Sequence, residues 1–170
     1  YPNASRAVLA ADLNNDGKID LATSNGLNAT GAFANMNTST SGSITLGAYR
    51  SIKAANGDYF VDAAMIPLDV NSDGKLDIFG LNGQAIYNPN INANYPSGYY
   101  LTQNTSSGNT FTSSTGKASN ATNCKSCTDN LIVGPMYAAD RADLNGDSKV
   151  DVVAAGKGIS VLNNRTSPGS

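Results

Sequence analysis

Three times along the chain a short apolar run stops at an Asp, gives way to a polar nine-residue stretch, and is followed by a second apolar run. Residues 7–11 lead into Asp12, and residues 19–23 lead out, with Ile19 and Leu21 alternating against Asp20 and Ala22. Residues 60–66 precede the second stretch and 76–79 follow it. Residues 131–133 and 136–139 precede the third, with 150–154 and 158–162 after it. These runs read as strands. Asn25-Gly26 and Asn82-Gly83 fall at the same offset behind the first two stretches and mark turns. Further strands are expected at 32–36, 44–49, 84–87, 98–103 and 110–112, with an extended Asn- and Pro-rich loop over 88–97 and an insertion over 113–130.

The chain therefore reads as an all-β tandem repeat within one domain of 170 residues, with units at 1–56, 57–130 and 131–170. The polar stretches begin at 12, 69 and 143, which are 57 and 74 residues apart. The Asn-rich loop and the insertion account for the longer interval, and the last unit is expected to lack its final strand or strands. Abundant Asn, Ser, Thr and Gly, with few helix formers, fit short strands joined by turns.

The chemistry lies inside the polar stretches. Positions 1, 3, 5 and 9 carry oxygen ligands in every copy: Asp12, Asn14, Asp16 and Asp20; Asp69, Asn71, Asp73 and Asp77; Asp143, Asn145, Asp147 and Asp151. All 13 acidic residues are Asp, and nine of them fall here, which a solvated charged surface would not produce. Calcium takes about six to eight oxygens at about 2.3–2.6 Å, and alternate residues of a tight loop can point inward together. Position 7 would contribute its carbonyl, so Lys18, Lys75 and Lys149 join the ligand set through the backbone. The expected cofactor is Ca2+, up to three ions per chain. Magnesium fits less well because it keeps several waters. Gly17 and Gly74 supply a sharp turn at position 6, where the third loop has Ser148, with Gly146 two residues earlier, so that site is expected to be distorted or weaker but occupied.

These loops lack the Glu at position 12 and the flanking helices of an EF-hand, having Thr23, Gly80 and Ala154 there. Set between strands at intervals of roughly sixty residues, they resemble the FG-GAP/VCBS repeats of integrin α-subunit propellers and many secreted proteins. Segments 8–26, 63–83 and 138–162 carry the resemblance, although the Phe-Gly and Gly-Ala-Pro signatures are absent. The resemblance implies a four-stranded antiparallel blade per repeat, with calcium in the hairpin between its first two strands. About three blades do not close a propeller, which usually needs about four to eight. Either the chain is a piece of a larger propeller, or copies of itself or another chain complete the array, and open edges favour head-to-tail stacking.

Other features narrow the function. His, Glu and Trp are absent, which removes His-based triads, His-ligated zinc and Glu general acids. Asp58, Asp62, Asp129 and Asp140 lie outside the loops, but nothing in the sequence sets them as a catalytic pair, and Asp140 beside Arg141 suggests an ion pair. No catalytic residue is assigned and the protein is not expected to be an enzyme. Cys124 and Cys127, spaced C-x-x-C in a loop-like segment, suggest a local disulfide. Asn3, Asn28, Asn37, Asn104, Asn120 and Asn164 open N-x-Ser/Thr sequons and are candidate glycosylation sites, although the composition alone yields about four by chance. A net charge of -2 with scattered Lys and Arg argues against nucleic acid. No apolar run of about 18 residues is present, so no spanning segment is expected. Without a basic-then-apolar leader, the chain reads as a mature or excised segment.

Together these readings predict a secreted or cell-surface, non-catalytic, calcium-stabilised structural or adhesion module that works through self-assembly or surface contacts. The alternative is a lectin-like carbohydrate-binding module or an accessory domain of a secreted enzyme. Tyr87, Tyr95, Tyr99 and Tyr100, in and beside the Asn-rich loop, would be its glycan-stacking residues.

Overall fold

The computed structural model describes residues 7–24, 32–52, 62–82, 86–88, 93–95, 98–106, 117–120, 136–156 and 159–165. Among them are thirteen strands and no helix, hence no helix long and apolar enough to cross a membrane. The strands form three antiparallel sheets and one hairpin, none of them closed into a barrel. The first sheet runs in chain order through β1 (Val8–Ala11), β2 (Asp20–Thr23), β3 (Ala32–Asn35) and β4 (Arg50–Ile52). The second runs through β5 (Asp62–Leu68), β6 (Asp77–Asn82), β9 (Gly98–Thr102) and β10 (Lys117–Asn120). The hairpin of β7 (Ile86–Asn88) and β8 (Ala93–Tyr95) lies between β6 and β9 in the chain. The third sheet has β11 (Met136–Ala142), β12 (Asp151–Gly156) and β13 (Ile159–Leu162).

Each sheet begins with a hairpin whose connection is one of the Asp-rich loops. The first strands of the second and third sheets share a register shift seven residues ahead of the loop, between Asp62 and Ala64 and between Met136 and Ala138. The three first strands are neighbours, with β1 and β11 both against β5.

Core placement explains the apolar patterns. One cluster joins Leu9, Ala11, Leu13, Ala22, Ala32, Ala34 and Ile52 of the first sheet to Met65 and Ile78 of the second. The other joins Ile66, Leu68, Val70, Phe79 and Leu81 to Val152 and Ala154 of the third. The middle sheet is therefore covered on both faces, and β5 and β6 read as nearly continuous apolar runs. β1 is covered on one face only and alternates, with Val8 exposed and Leu9 buried. Pro67 is accommodated in β5 because that strand is the edge of its sheet and a missing ladder donor costs little there.

Several expectations need correction. Residues 44–49 are not a sheet strand: isolated bridges pair Asn37 with Leu46 and Thr40 with Ser43 beyond the end of β3, and the fourth strand is β4. Ile44 is exposed, so its alternation with Leu46 has no facing layer to bury it. Within 88–97, β8 pairs with β7, where an extended loop was expected. Within the expected insertion, Lys117–Asn120 is an edge strand paired with β9. A polar four-residue edge strand carries no apolar pattern to reveal it. The expected strand at 110–112 lies outside the described residues, as do Cys124 and Cys127.

Candidate metal centres

The three loops share one backbone. Positions 4 and 6 both adopt positive φ, at Asn15 (58°) and Gly17 (84°), Ser72 (58°) and Gly74 (82°), and Gly146 (76°) and Ser148 (65°). The third loop therefore exchanges which of the two positions is glycine and keeps the conformation. The distortion expected there is not found. Ser148 N–H donates to Asp143 Oδ2 at 2.8 Å, as Gly17 and Gly74 donate to Asp12 and Asp69 at 2.8 Å. The one departure is at Asp143 Oδ1, which accepts from Gly146 N–H, whereas Asp12 and Asp69 Oδ1 accept from Asp16 and Asp73. A Cβ built on Gly17 meets nothing within 4 Å, so the cost of Gly17→Ala is conformational alone. We expect about 1–2 kcal/mol of lost stability from Gly17→Ala in urea denaturation, and a smaller loss from Gly17→Asn, which tolerates this conformation. Equal losses would contradict this account.

Positions 1, 3 and 5 curl inward around loop N–H groups. Asn14 Oδ1 accepts from Asp16 N–H, Asp16 Oδ1 accepts from Lys18 N–H, and Asn14 Nδ2 donates to Asp16 Oδ2. Asn71, Asp73 and Lys75 repeat these bonds, as do Asn145, Asp147 and Lys149. Lys18 Nζ reaches Ser39 O at 3.2 Å, outside the loop.

The position-9 Asp is different. Asp20, Asp77 and Asp151 are buried. One oxygen accepts from the position-2 N–H of Leu13, Val70 or Leu144 at 3.0, 3.1 and 3.0 Å. The other accepts from the backbone N–H of Asn37, Asn104 or Asn164 at 2.7, 2.7 and 2.8 Å. Each of these Asn residues sits two positions past the third strand of its sheet. The Asp thus ties the loop to the far end of its own sheet. Burial pushes the carboxyls of Asp20 and Asp77 above the ordinary 3.8, against the lowering effect of these N–H bonds, and neighbouring loop carboxylates add to the rise. A carboxyl raised on folding stabilises the fold below its unfolded pKa and loses that contribution as pH rises through its folded one. In chelator, the melting temperature should therefore fall as pH rises from below the ordinary 3.8 through the raised folded-state values of these two groups, and Asp77→Asn should flatten the fall. A rise over this range would contradict it.

The donor set is all hard oxygen, which suits calcium and not a thiophilic metal. A carboxylate oxygen carries about two acceptor sites, so a single N–H bond leaves capacity for a cation. Among the described residues, however, no group of three or more His, Cys, Asp or Glu side chains is gathered as a ready coordination sphere. The loops are instead closed by their own N–H groups.

The same Asn residues join the sheets, a feature the sequence reading missed. Asn104 Nδ2 donates to Leu13 O in the preceding loop at 2.6 Å and to Leu76 O at 3.1 Å. Asn164 Nδ2 donates to Val70 O, the equivalent carbonyl of the second loop, at 3.2 Å. Asn37 Nδ2 donates to Ile19 O at 2.8 Å, the counterpart of Leu76 O. Asn15 Nδ2 adds a loop-to-loop bond to Gly74 O at 3.1 Å.

These three Asn residues open sequons. The Ser two places on closes an Asx turn, Ser39 N–H to Asn37 Oδ1 and Ser106 N–H to Asn104 Oδ1, both at 2.9 Å. Asn104 and Asn164 are buried with their amides donating between sheets, so attaching a sugar there would break the contact. The readable signal was the placement of N-x-Ser/Thr just behind a third strand in every unit. Asn120 lies in β10, and Asn3 and Asn28 lie outside the described residues.

The candidate sugar-stacking tyrosines are spread over the hairpin and β9. Tyr87 pairs with Asn94 and Tyr95 with Ile86, while Tyr99 and Tyr100 are consecutive on β9. The contact found between Asp140 and Arg141 is Arg141 N–H donating to Asp140 Oδ1 at 2.8 Å. Asp62 begins β5, and Asp58 and Asp129 lie outside the described residues. Comparison with protein-family models and with curated proteins finds no match to this chain.

Proposed function

We propose that the protein is a non-catalytic, extracellular structural or adhesion module whose three sheets are blades of an open FG-GAP/VCBS-like array stabilised by calcium. The observation that carries this reading is the repeated loop. Three stretches far apart in sequence present the same oxygen donors at positions 1, 3 and 5, on the same pair of left-handed residues, above a buried Asp. Turns that merely reverse a chain do not require three acidic residues each. The carboxylates repel one another, and a divalent cation would neutralise that repulsion.

The loops would act as staples. Each spans the hairpin that opens a blade, and its last Asp grips the chain where the third strand ends. Cation binding there would be folding free energy for the whole blade. Adhesion or assembly would then use the outer faces of the array.

Native mass spectrometry with and without chelator tests this reading. Up to three calcium ions per chain are expected, released together with a loss of compactness. A chain that takes up no calcium ends it.

A further inference from the structure

We propose that two copies of this chain dock end to end, with the outward face of the first sheet on the outward face of the third, and Asn37 of one copy donating to the Leu144 carbonyl of the other. The proposal rests on the blade-array reading above and names its partner and contact.

The inter-sheet contact already occurs twice within the chain, in one form. A position-2 loop carbonyl, Leu13 or Val70, accepts the Asn amide of the next sheet. The position-2 side chain is covered by that sheet, leaving Leu13 0% and Val70 9% exposed. Leu144 holds the same place in the third loop, is 51% exposed, and its carbonyl accepts no such bond among the described residues. At the other end, Asn37 is the matching donor. Its amide makes the bond to Ile19 O within its own sheet, and no preceding loop carbonyl accepts from it among the described residues. Among the described residues there is therefore one unmatched acceptor and one unmatched donor of a contact made twice.

The surrounding faces agree. Val8 corresponds to Met65, which packs on the preceding sheet, yet Val8 is exposed. Tyr49 is exposed beside Phe33, stacked edge to face at 5.3 Å. On the third sheet, Val153 pairs with Val161 and Ala155 with Ile159, and both Val161 and Ile159 are exposed. Asp140 interrupts this apolar face at the place of Leu9 and Ile66. A second copy supplies both apolar faces, and Asn37 and the Leu144 carbonyl in the register the internal contacts use, which is a heterologous, head-to-tail interface.

Sedimentation velocity on the calcium-loaded full chain tests this. The parent should associate with rising concentration. Val8→Glu and Ile159→Glu, both at exposed positions, should each keep the parent melting temperature and block growth through one end. Mixed in equal amounts, the two variants should form heterodimers and nothing larger, because each retains the end the other lost. A parent that stays monomeric at every concentration, or variants that associate as the parent does, would overturn the docking. Melting the same samples with chelator separates the two readings. A monomer with calcium-dependent melting removes the docking alone, and association with calcium-independent melting removes the cation reading alone.

Discussion

Removing calcium should lower the melting temperature of this protein by roughly 15–30 °C. A site filled at about 100 times its Kd stabilises the folded state by about 2.7 kcal/mol, so three sites contribute about 8 kcal/mol. In a chain of this size each kcal/mol moves the midpoint by about 2–4 °C. The effect is this large because no loop is peripheral. Each connects the first two strands of a sheet, and its position-9 Asp is buried against the chain beyond the third strand. Loss of the proposed cation would leave neighbouring carboxylates without compensation at that junction. Calorimetry in calcium and in excess chelator measures the difference, and magnesium should restore only part of it. An unchanged midpoint would remove calcium from the account.

Asn104→Ala should cost about 3–5 kcal/mol, a large fraction of a typical folding free energy of about 5–15 kcal/mol. The side chain donates to Leu13 O and accepts from Ser106 N–H in a buried setting, and donates to Leu76 O in a partly buried one. Truncation strands two carbonyls away from water, at about 1–3 kcal/mol for each buried group left unpaired. Asn37→Ala is the internal control. It removes the bond to Ile19 O and the one from Ser39 N–H, both within its own sheet at a half-exposed site, and should cost about 1 kcal/mol. Urea denaturation of both variants in saturating calcium gives the comparison. Equal costs would mean that the contact between sheets carries no special weight.

Much of this was legible in the sequence because it was written in residue types with few other uses. Asp at positions 1, 5 and 9, three times over, marks the loops, and the strands on either side follow from short apolar runs that end at them. The stacking order was legible in another way: β5 and β6 are apolar on both faces, which only a middle layer requires. What was illegible had an ambiguous code. Asn104-Thr105-Ser106 spells a glycosylation sequon and an Asx turn with the same letters, and only burial decides between them. Lys117–Asn120 is a strand by virtue of its partner β9 and not of its own pattern. The position-4 residues Asn15 and Ser72 gave no warning of positive φ, so the Ser148 and Gly146 pair looked like a defect when it is a permutation.

The bond that joins one sheet to the next is asymmetric in what it asks of the genetic text. Its acceptor is main chain, the carbonyl of Leu13 or Val70, and no point substitution other than one that moves the backbone can delete it. Its donor is a side chain that only Asn supplies at this reach. Position 2 of each loop is therefore free to vary among apolar residues, as Leu, Val and Leu already do, while replacing the Asn removes this bond between two layers. Units built this way can drift far apart in sequence and still fit one another, provided each keeps one asparagine in place.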